Sequence, residues 1–193
     1  QGEYYYYHIT LDGDHTYYLN GILVHNATNN FNAASGEWNT AGNWSLGHIP
    51  TATEDCTFTG LNGSAALTIT TTNAVCKSAD FSTAGAAFTL SGSPALTISG
   101  SLITKAGMIW SLTGIVTING TGNLTSNSVS FASAASFKIT GGTVTLTNTF
   151  TCGTKSLFVY TNAVLVTGNN TITCGKFNDN SIAGAVTLSL GFS

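Results

Sequence analysis

The chain has 193 residues, of which 42% are hydrophobic and only 7% charged, so it can bury one sizeable core. All five basic residues are lysines, spread singly, and the net charge is −3. Because nucleic-acid binding needs a dense basic patch, a nucleic-acid partner is not expected. No apolar run reaches the roughly 20 residues that a membrane-spanning helix needs. Low charge with many Thr, Ser and Gly residues indicates a folded, hydroxyl-coated all-β protein.

Residues 1–26 differ in composition from the rest of the chain. Two β-prone stretches, roughly 4–11 and 16–24, flank the turn signal Asp12-Gly13-Asp14 and predict a hairpin or a pair of extended arms. Such strands could add to the sheet edge of a neighbouring subunit. The side chains predicted to mediate this assembly are Tyr4, Tyr5, Tyr6, Tyr7, Ile9, Tyr17, Tyr18, Ile22 and Val24. Residues 27–36 are small and polar and are predicted to be a linker, which leaves 37–193 as the main domain.

Residues 13–26 contain His15 and end in His25-Asn26. This stretch resembles the C-terminal end of Hint domains, the self-processing family that includes inteins. The resemblance implies that Asn26 attacks its own carbonyl carbon, with His25 as its helper and His15 as an upstream histidine. Splicing also needs a Cys, Ser or Thr directly after the asparagine, and Ala27 has no such heteroatom. We interpret the stretch as a relic cleavage motif; a live cleavage site in a longer precursor is the alternative.

A pair of tryptophans opens the main domain. Trp38 and Trp44, followed by Ile49-Pro50, resemble the entry segment of bacterial and phage β-solenoid and autotransporter-like repeat proteins. The resemblance implies that Trp38, Trp44 and Pro50 close the open end of a solenoid. The alternative is that both tryptophans are ordinary core aromatics beneath a loop. Either interpretation places them at the end of the core.

One short pattern, apolar-Thr-apolar, recurs from residue 65 onward. Its alternation puts the apolar members on one face of a strand and the threonines on the other. Neighbouring copies lie roughly 20 to 29 residues apart, or about twice that before the last, and Gly or Asn recurs between them at predicted corners. This pattern predicts a parallel β-helix (β-solenoid), favoured over a β-sandwich. The copies are Leu67-Thr68-Ile69, Leu96-Thr97-Ile98, Val116-Thr117-Ile118, Val144-Thr145-Leu146 and Val186-Thr187-Leu188.

The four cysteines form two pairs in the sequence. Cys56 and Cys76 are 20 residues apart, and Cys152 and Cys174 are 22 apart. Because each separation is close to one rung (one full turn of the solenoid), we predict two rung-to-rung disulfides. Buried thiols in a reducing compartment are the alternative. Neither C-x-x-C pairs nor histidines at ligand spacing accompany them, so no metal site and no cofactor is predicted.

The body of the repeat lacks the residues of acid–base catalysis. Residues 81–178 contain no Asp, Glu, His or Arg. The β-helix enzymes that cut polysaccharides need carboxylates as general acid and base. We interpret Glu37, Glu54, Asp55 and Asp80, near the entry end, as turn and surface residues. The protein is therefore predicted not to be an enzyme.

Three functions remain open from the sequence. The first is a structural subunit of an extracellular filament or virion fibre, which binds copies of itself head-to-tail through its N-terminal strands. The second is a phage tail or adhesin domain that binds a surface glycan. The aromatic candidates for that role are Trp110, Phe158 and Tyr160, for which a role as core fillers is favoured. The third is an autoprocessing Hint-derived fragment. The predicted location is extracellular, on a cell-surface appendage or a virion.

Overall fold

The computed structural model describes residues 16–19, 22–25, 28–180 and 187–190, with side chains over residues 28–178. These residues are almost entirely β-structure, with two single-turn 3-10 helices at Ala41–Asn43 and Phe81–Thr83. The strands in chain order are β1 (Thr16–Leu19), β2 (Ile22–His25), β3 (Thr28–Asn30), β4 (Gly36–Glu37), β5 (Asp55–Thr57), β6 (Ala66–Ile69), β7 (Ala74–Cys76), β8 (Ser78–Asp80), β9 (Thr89–Gly92), β10 (Leu96–Ile98), β11 (Leu102–Ile103), β12 (Ile109–Leu112), β13 (Val116–Ile118), β14 (Gly122–Thr125), β15 (Ser136–Ile139), β16 (Gly142–Leu146), β17 (Phe150–Thr151), β18 (Ser156–Tyr160), β19 (Ala163–Gly168), β20 (Ile172–Thr173), β21 (Lys176–Asn180) and β22 (Thr187–Leu190).

Parallel sheets form the three sides of a β-solenoid, which confirms the predicted fold. The first side is a six-stranded sheet of β7, β10, β13, β15, β18 and β21, and the second is an eight-stranded sheet of β3, β5, β8, β11, β14, β16, β19 and β22. The third side holds a four-stranded sheet (β4, β6, β9, β12) and, in later rungs, a two-stranded sheet (β17, β20). From β7 onward the rungs visit the sides in this order, although the rung of β13 and β14 has no strand in the sheets of the third side. All pairings within these sheets are parallel, so the alternative of a β-sandwich does not hold.

The alternation seen in the sequence sorts side chains between the core and the outer surface. Leu96 and Ile98 are fully buried, whereas Thr97 between them lies on the outer face. The core contains a column of aromatic rings that crosses the rungs. Its successive ring centroids are 4.3 Å apart for Phe58 and Phe81, 6.3 Å for Phe81 and Trp110, 4.6 Å for Trp110 and Phe131, and 5.4 Å for Phe131 and Phe150.

The repeated pattern does not mark one position of the rung. Leu96–Ile98 and Val116–Ile118 pair directly on the six-stranded side. The copy at residues 67–69 belongs to the four-stranded sheet, and the copies at 144–146 and 187–188 belong to the eight-stranded sheet. All three sides need the same alternation of buried and outward residues, so copies from different sides look alike in the sequence.

The linker predicted over residues 27–36 is wrong for residues 28–36, which belong to the first rung. Strand β3 pairs in parallel with β5, and Gly36 in β4 pairs with Leu67. Between these strands Phe31 is fully buried. The polar composition of this stretch resembled a loop, but its asparagines bond to neighbouring strands instead: Asn30 Oδ1 accepts from Thr57 Oγ1 at 2.9 Å.

The second of the two predicted β-prone stretches, 16–24, itself forms a two-stranded hairpin with residue 25. Strands β1 and β2 pair antiparallel, with Thr16 opposite His25 and Leu19 opposite Ile22. In the sequence, Asn20-Gly21 stands between these strands, and this dipeptide is typical of two-residue hairpin loops. The stretch 4–11 and the turn signal at 12–14 lie outside the described residues. The hairpin is a two-stranded sheet of its own and is not a member of the solenoid sheets.

Candidate functional site

The entry end of the solenoid is covered by its own chain. Residues 43–45 run antiparallel to residues 30–32, with a bridge between Phe31 and Trp44. Asn32 N donates to Asn43 O and Ser45 N donates to Asn30 O, each at 2.8 Å. These bonds occupy the free edge of β3, which would otherwise present unpaired backbone groups to another strand. The first strand of the eight-stranded sheet is therefore protected against strand addition.

The residues predicted to cap the solenoid lie at this end. Trp38 is fully buried, Trp44 nearly so, and Pro50 is buried. The indole rings of Trp38 and Trp44 meet edge to face at 5.1 Å, and both pack against Phe58. Trp44 Nε1 donates to Trp38 O at 2.6 Å, which ties the loop to the end of the core.

A buried carboxylate holds the same entry loop. Glu54 is 1% exposed, and its carboxylate accepts from Thr51 N at 2.6 Å and contacts His48 Nε2 at 2.7 Å. Burial by itself would raise the pKa of Glu54, but the hydrogen bonds from Thr51 and His48 outweigh it, and the pKa is lowered. The backbone O of His48 accepts from the buried Asn29 Nδ2 of β3 at 3.1 Å. Glu54 therefore has a structural role and, contrary to the sequence prediction, is not a surface residue.

The other three acids also have structural partners. Glu37 accepts hydrogen bonds from Thr68 Oγ1 at 2.7 Å and from Thr70 Oγ1 at 2.8 Å. Asp80 accepts from Ser82 N at the start of the second 3-10 helix, and Asp55 pairs with Lys77 at 3.0 Å near the surface. Among the described residues, no three His, Cys, Asp or Glu side chains form a group that could hold a metal ion.

The opposite end of the solenoid exposes part of the core. Phe177 of β21 pairs with Leu157, which is 1% exposed and continues the buried column of the six-stranded side. Phe177 itself is 38% exposed. Ile172 and Cys174 of the same last rung are only partly buried, although they pack against the core. The two ends of the solenoid therefore differ: one is covered, and the other presents apolar side chains.

The predicted disulfides are not found, because all four cysteines are free thiols. The residue that pairs with Cys56 is Ala79, 23 positions later, so Cys76 stops short of a full rung and lies on the neighbouring side. Burial, followed by the Cys76 thiol, raises the pKa of Cys56.

The second pair of thiols lies on adjacent rungs, as predicted. Thr151 pairs with Thr173, and Cys152 N donates to Thr173 O at 2.9 Å, which places Cys152 beside Cys174. Burial and the neighbouring Cys174 raise the pKa of Cys152 to about 11. Both facts favour neutral thiols over reactive thiolates at this position.

Two of the three aromatic residues considered for glycan binding lie on the outer face. Phe158 and Tyr160 are partly exposed on β18, whereas Leu157 and Val159 alternate with them into the core. Lys138 pairs with Phe158, and its Nζ lies 6.0 Å from the centroids of both rings. Trp110 is a core residue, 5% exposed. The core role favoured from the sequence is therefore wrong for Phe158 and Tyr160 and correct for Trp110.

Sequence reasoning missed Lys138 as a neighbour of these rings. Lys138 alternates with Phe137 and Ile139, both fully buried, so an outward position could be read from the sequence. Its distance of 20 residues from Phe158 equals one rung at this level, but rung lengths vary, and only the register shows which residues meet.

Most residues of the proposed assembly and cleavage segments lie outside the described part of the chain. This applies to Tyr4, Tyr5, Tyr6, Tyr7, Ile9, His15, Asn26 and Ala27. For Tyr17, Tyr18, Ile22, Val24 and His25 the structure places the backbone in β1 or β2. Within the described residues no helix has the length and apolar character needed to span a membrane.

Comparison with known proteins gives no relative: the chain matches no protein-family model, no curated protein and no solved structure.

Proposed function

We propose that this protein is a non-enzymatic structural subunit of an extracellular filament or virion fibre, assembling head-to-tail. The observation that carries the proposal is the difference between the two ends of the solenoid. The entry end is covered by residues 43–45, whereas the last rung exposes Phe177 at a position that is buried in the rung before it.

A subunit whose two ends differ favours growth of an open filament over formation of a closed oligomer. A contact between two different surfaces of the same chain is heterologous and gives an open filament unless the rotation closes a ring. In the proposed assembly, the N-terminal strands of one subunit add to the last rung of the next and cover its apolar side chains. The hairpin β1–β2 suits this role because it is not part of the subunit's own solenoid sheets.

The distribution of charge along the axis supports the same polarity. Residues 37–80, near the entry end, hold four carboxylates and one lysine, a net charge of −3 with histidine neutral. Residues 81–180, up to the end of β21, hold four lysines and one carboxylate, Asp179, a net charge of +3. A subunit with opposite charge at its two ends attracts a second copy head-to-tail and repels it head-to-head.

The test is sedimentation velocity and electron microscopy of the full chain, with substitutions at two exposed apolar residues. Phe177→Ser removes the exposed ring of the last rung. Ile109→Ser is the matched control, because Ile109 is 60% exposed but belongs to β12, away from that rung. We expect fibres from the unaltered protein and from Ile109→Ser, and monomers from Phe177→Ser and from a chain that lacks residues 1–27.

Other outcomes would contradict the proposal. A monomer at all concentrations excludes self-assembly. Loss of fibres in Ile109→Ser but not in Phe177→Ser indicates lateral association through the side of the solenoid. Fibres that persist without residues 1–27 exclude strand donation by the N-terminal segment. Circular dichroism of each variant shows whether the β-fold is retained.

Binding of a surface glycan is a second candidate function. The specific observation in its favour is the pair of outward rings at Phe158 and Tyr160.

A further inference from the structure

Two aromatic rings and one lysine form a compact surface group late in the solenoid. The ring centroids of Phe158 and Tyr160 are 6.4 Å apart, with an angle of 45° between the ring planes. The ammonium of Lys138 lies 6.0 Å from each centroid. On the next strand Asn178, which is partly exposed, pairs with Phe158. We call Lys138, Phe158, Tyr160 and Asn178 the aromatic platform.

The outward aromatic residues depart from the pattern of their own ladder. Thr97 pairs with Thr117, and Thr117 pairs with Lys138, which in turn pairs with Phe158. After Val75, which pairs with Thr97, a small threonine occupies the outer face at the next two positions, 97 and 117. The change to lysine and then phenylalanine is not needed to build the sheet. The two rings give the outer face a partly apolar surface on which a ligand can stack, whereas the threonines at positions 97 and 117 present hydroxyl groups.

The sheet holds the platform rigidly. Leu157 and Val159, which alternate with the two rings, are at most 1% exposed and anchor β18 in the core. Strand β18 is also bonded on both sides, to β15 and to β21. Rings on such a strand are pre-ordered, so a ligand that stacks on them loses little of its binding free energy to ordering the protein.

Among the residues whose side chains are described, no carboxylate forms an ion pair with Lys138. Residues 81–178 contain no carboxylate, and the ion pairs found among the described residues, His48–Glu54 and Lys77–Asp55, belong to the entry end. The Lys138 ammonium has the faces of the two rings as its partners. Within residues 28–178, therefore, no carboxylate has to be displaced before an anionic group binds this ammonium.

We propose that the aromatic platform binds an acidic carbohydrate, a chain of sugars that carry carboxylate groups. The C–H faces of a pyranose ring are slightly positive and stack on the negative faces of aromatic rings. A sugar carboxylate would pair with the Lys138 ammonium, and the Asn178 amide supplies a hydrogen-bonding group beside Phe158. This combination of aromatic stacking surface with a few polar groups is typical of small-ligand sites. The proposal rests on the second candidate function, glycan binding, and is independent of self-assembly because it uses the side of the solenoid.

The test is titration calorimetry with oligogalacturonate, against a neutral galactose oligomer of equal length. Lys138→Gln removes the charge, and Phe158→Thr with Tyr160→Thr removes the rings while restoring the residue type of the earlier ladder positions. Lys105→Gln is the matched control. Lys105 lies in the same lysine-bearing part of the solenoid, but its Nζ contacts Ser82 O and no aromatic ring. Thermal unfolding of each variant verifies that the fold is kept.

We expect the acidic oligomer to bind the unaltered protein and the Lys105→Gln variant alike. Lys138→Gln and the double threonine variant should each bind at least about tenfold more weakly, as loss of a charged hydrogen bond or of the stacking surface requires. Absence of binding by the unaltered protein overturns the proposal. Equal weakening by Lys105→Gln also overturns it, because binding would then be a non-specific charge effect. Equal binding of the neutral oligomer overturns the assignment of an acidic ligand.

Discussion

At the scale of single residues, the two tryptophans of the entry end differ in their hydrogen bonding. Both indole rings are buried and touch each other. Trp44 Nε1 donates to Trp38 O, whereas Trp38 Nε1 is buried without a partner among the described residues. A buried polar group costs free energy when it is unpaired, so equal changes at the two positions should have unequal effects.

Replacement of each tryptophan by phenylalanine tests this difference. Trp38→Phe removes an unpaired N–H, whereas Trp44→Phe leaves Trp38 O without its donor. Both changes lose similar ring area, so we expect Trp44→Phe to lower the free energy of unfolding by about 1–3 kcal/mol more than Trp38→Phe. Urea unfolding monitored by circular dichroism measures the difference. Equal destabilisation would show that the Trp44–Trp38 bond contributes little.

The buried carboxylate of Glu54 predicts a dependence of stability on pH. Its pKa in the folded protein is below the ordinary value of 4.5, so its ionised form stabilises the fold above that pH, and the contribution is lost as pH falls through the lowered pKa. We expect Glu54→Gln to cost about 1.5–3 kcal/mol at pH 7, because it removes a charged acceptor from Thr51 and His48. The cost should shrink as the pH falls through the lowered pKa, below which the natural carboxyl is also neutral.

Asp55→Asn is the control for this pH series. Asp55 is 39% exposed and its partner Lys77 is 52% exposed, so their ion pair is screened by water. We expect the substitution to cost under about 1 kcal/mol at any pH in the series. A cost for Glu54→Gln that did not decrease between pH 7 and the lowest pH at which the protein stays folded would contradict the structural role of the Glu54 charge.

At the scale of elements, the corners between strands are as decisive as the strands themselves. At the corner between the six-stranded and eight-stranded sides, the backbone of each rung contacts the backbone of the preceding rung. A Cβ atom at Gly120 would lie 1.7 Å from Ser99 O, and one at Gly142 would lie 2.3 Å from the carbonyl carbon of Gly120. Glycine is needed at this corner because backbones of successive rungs touch there.

A pair of glycine substitutions tests the close approach at the corner. Gly120→Ala forces Ser99 and Gly120 apart, and we expect it to lower the free energy of unfolding by about 1–3 kcal/mol or more. Gly42→Ala is the control, because a Cβ atom there would meet nothing within 4 Å. It should be neutral or stabilise by up to about 1 kcal/mol. Similar effects of the two changes would argue against tight stacking at the corner.

At the scale of the whole molecule, opposite charge near the two ends predicts that assembly depends on salt. If the negative entry region of one subunit meets the positive body of the next, added salt should weaken assembly, because the screening length falls from about 10 Å at 0.1 M to about 3 Å at 1 M. Lys176→Glu, in exposed β21 at the end of the solenoid, should weaken it further. Lys105→Glu, in the middle of the body, should have a smaller effect.

Light scattering across a salt series measures this dependence. Assembly that strengthens with salt would indicate apolar contacts alone, with no contribution from the axial separation of charge. Equal effects of Lys176→Glu and Lys105→Glu would indicate that the net charge matters and its position does not.

The sequence by itself determined the class of fold. The alternation of Leu, Val and Ile with Thr specifies a strand with one buried face, and glycine or asparagine at recurring intervals specifies corners. Both signals are local, so they need no knowledge of which strands meet.

Only the tertiary structure decided which residues meet between rungs. Rung length varies along the solenoid. A separation of 20 residues places Lys138 beside Phe158. The same separation leaves Cys76 three residues short of Ala79, which is the residue that pairs with Cys56. Residues 28–30 are polar and become a strand only because β5 pairs with them and Phe31 next to them enters the core. Contacts between rungs depend on the lengths of the corners as well as on the local pattern, and those lengths become readable only once the register is known.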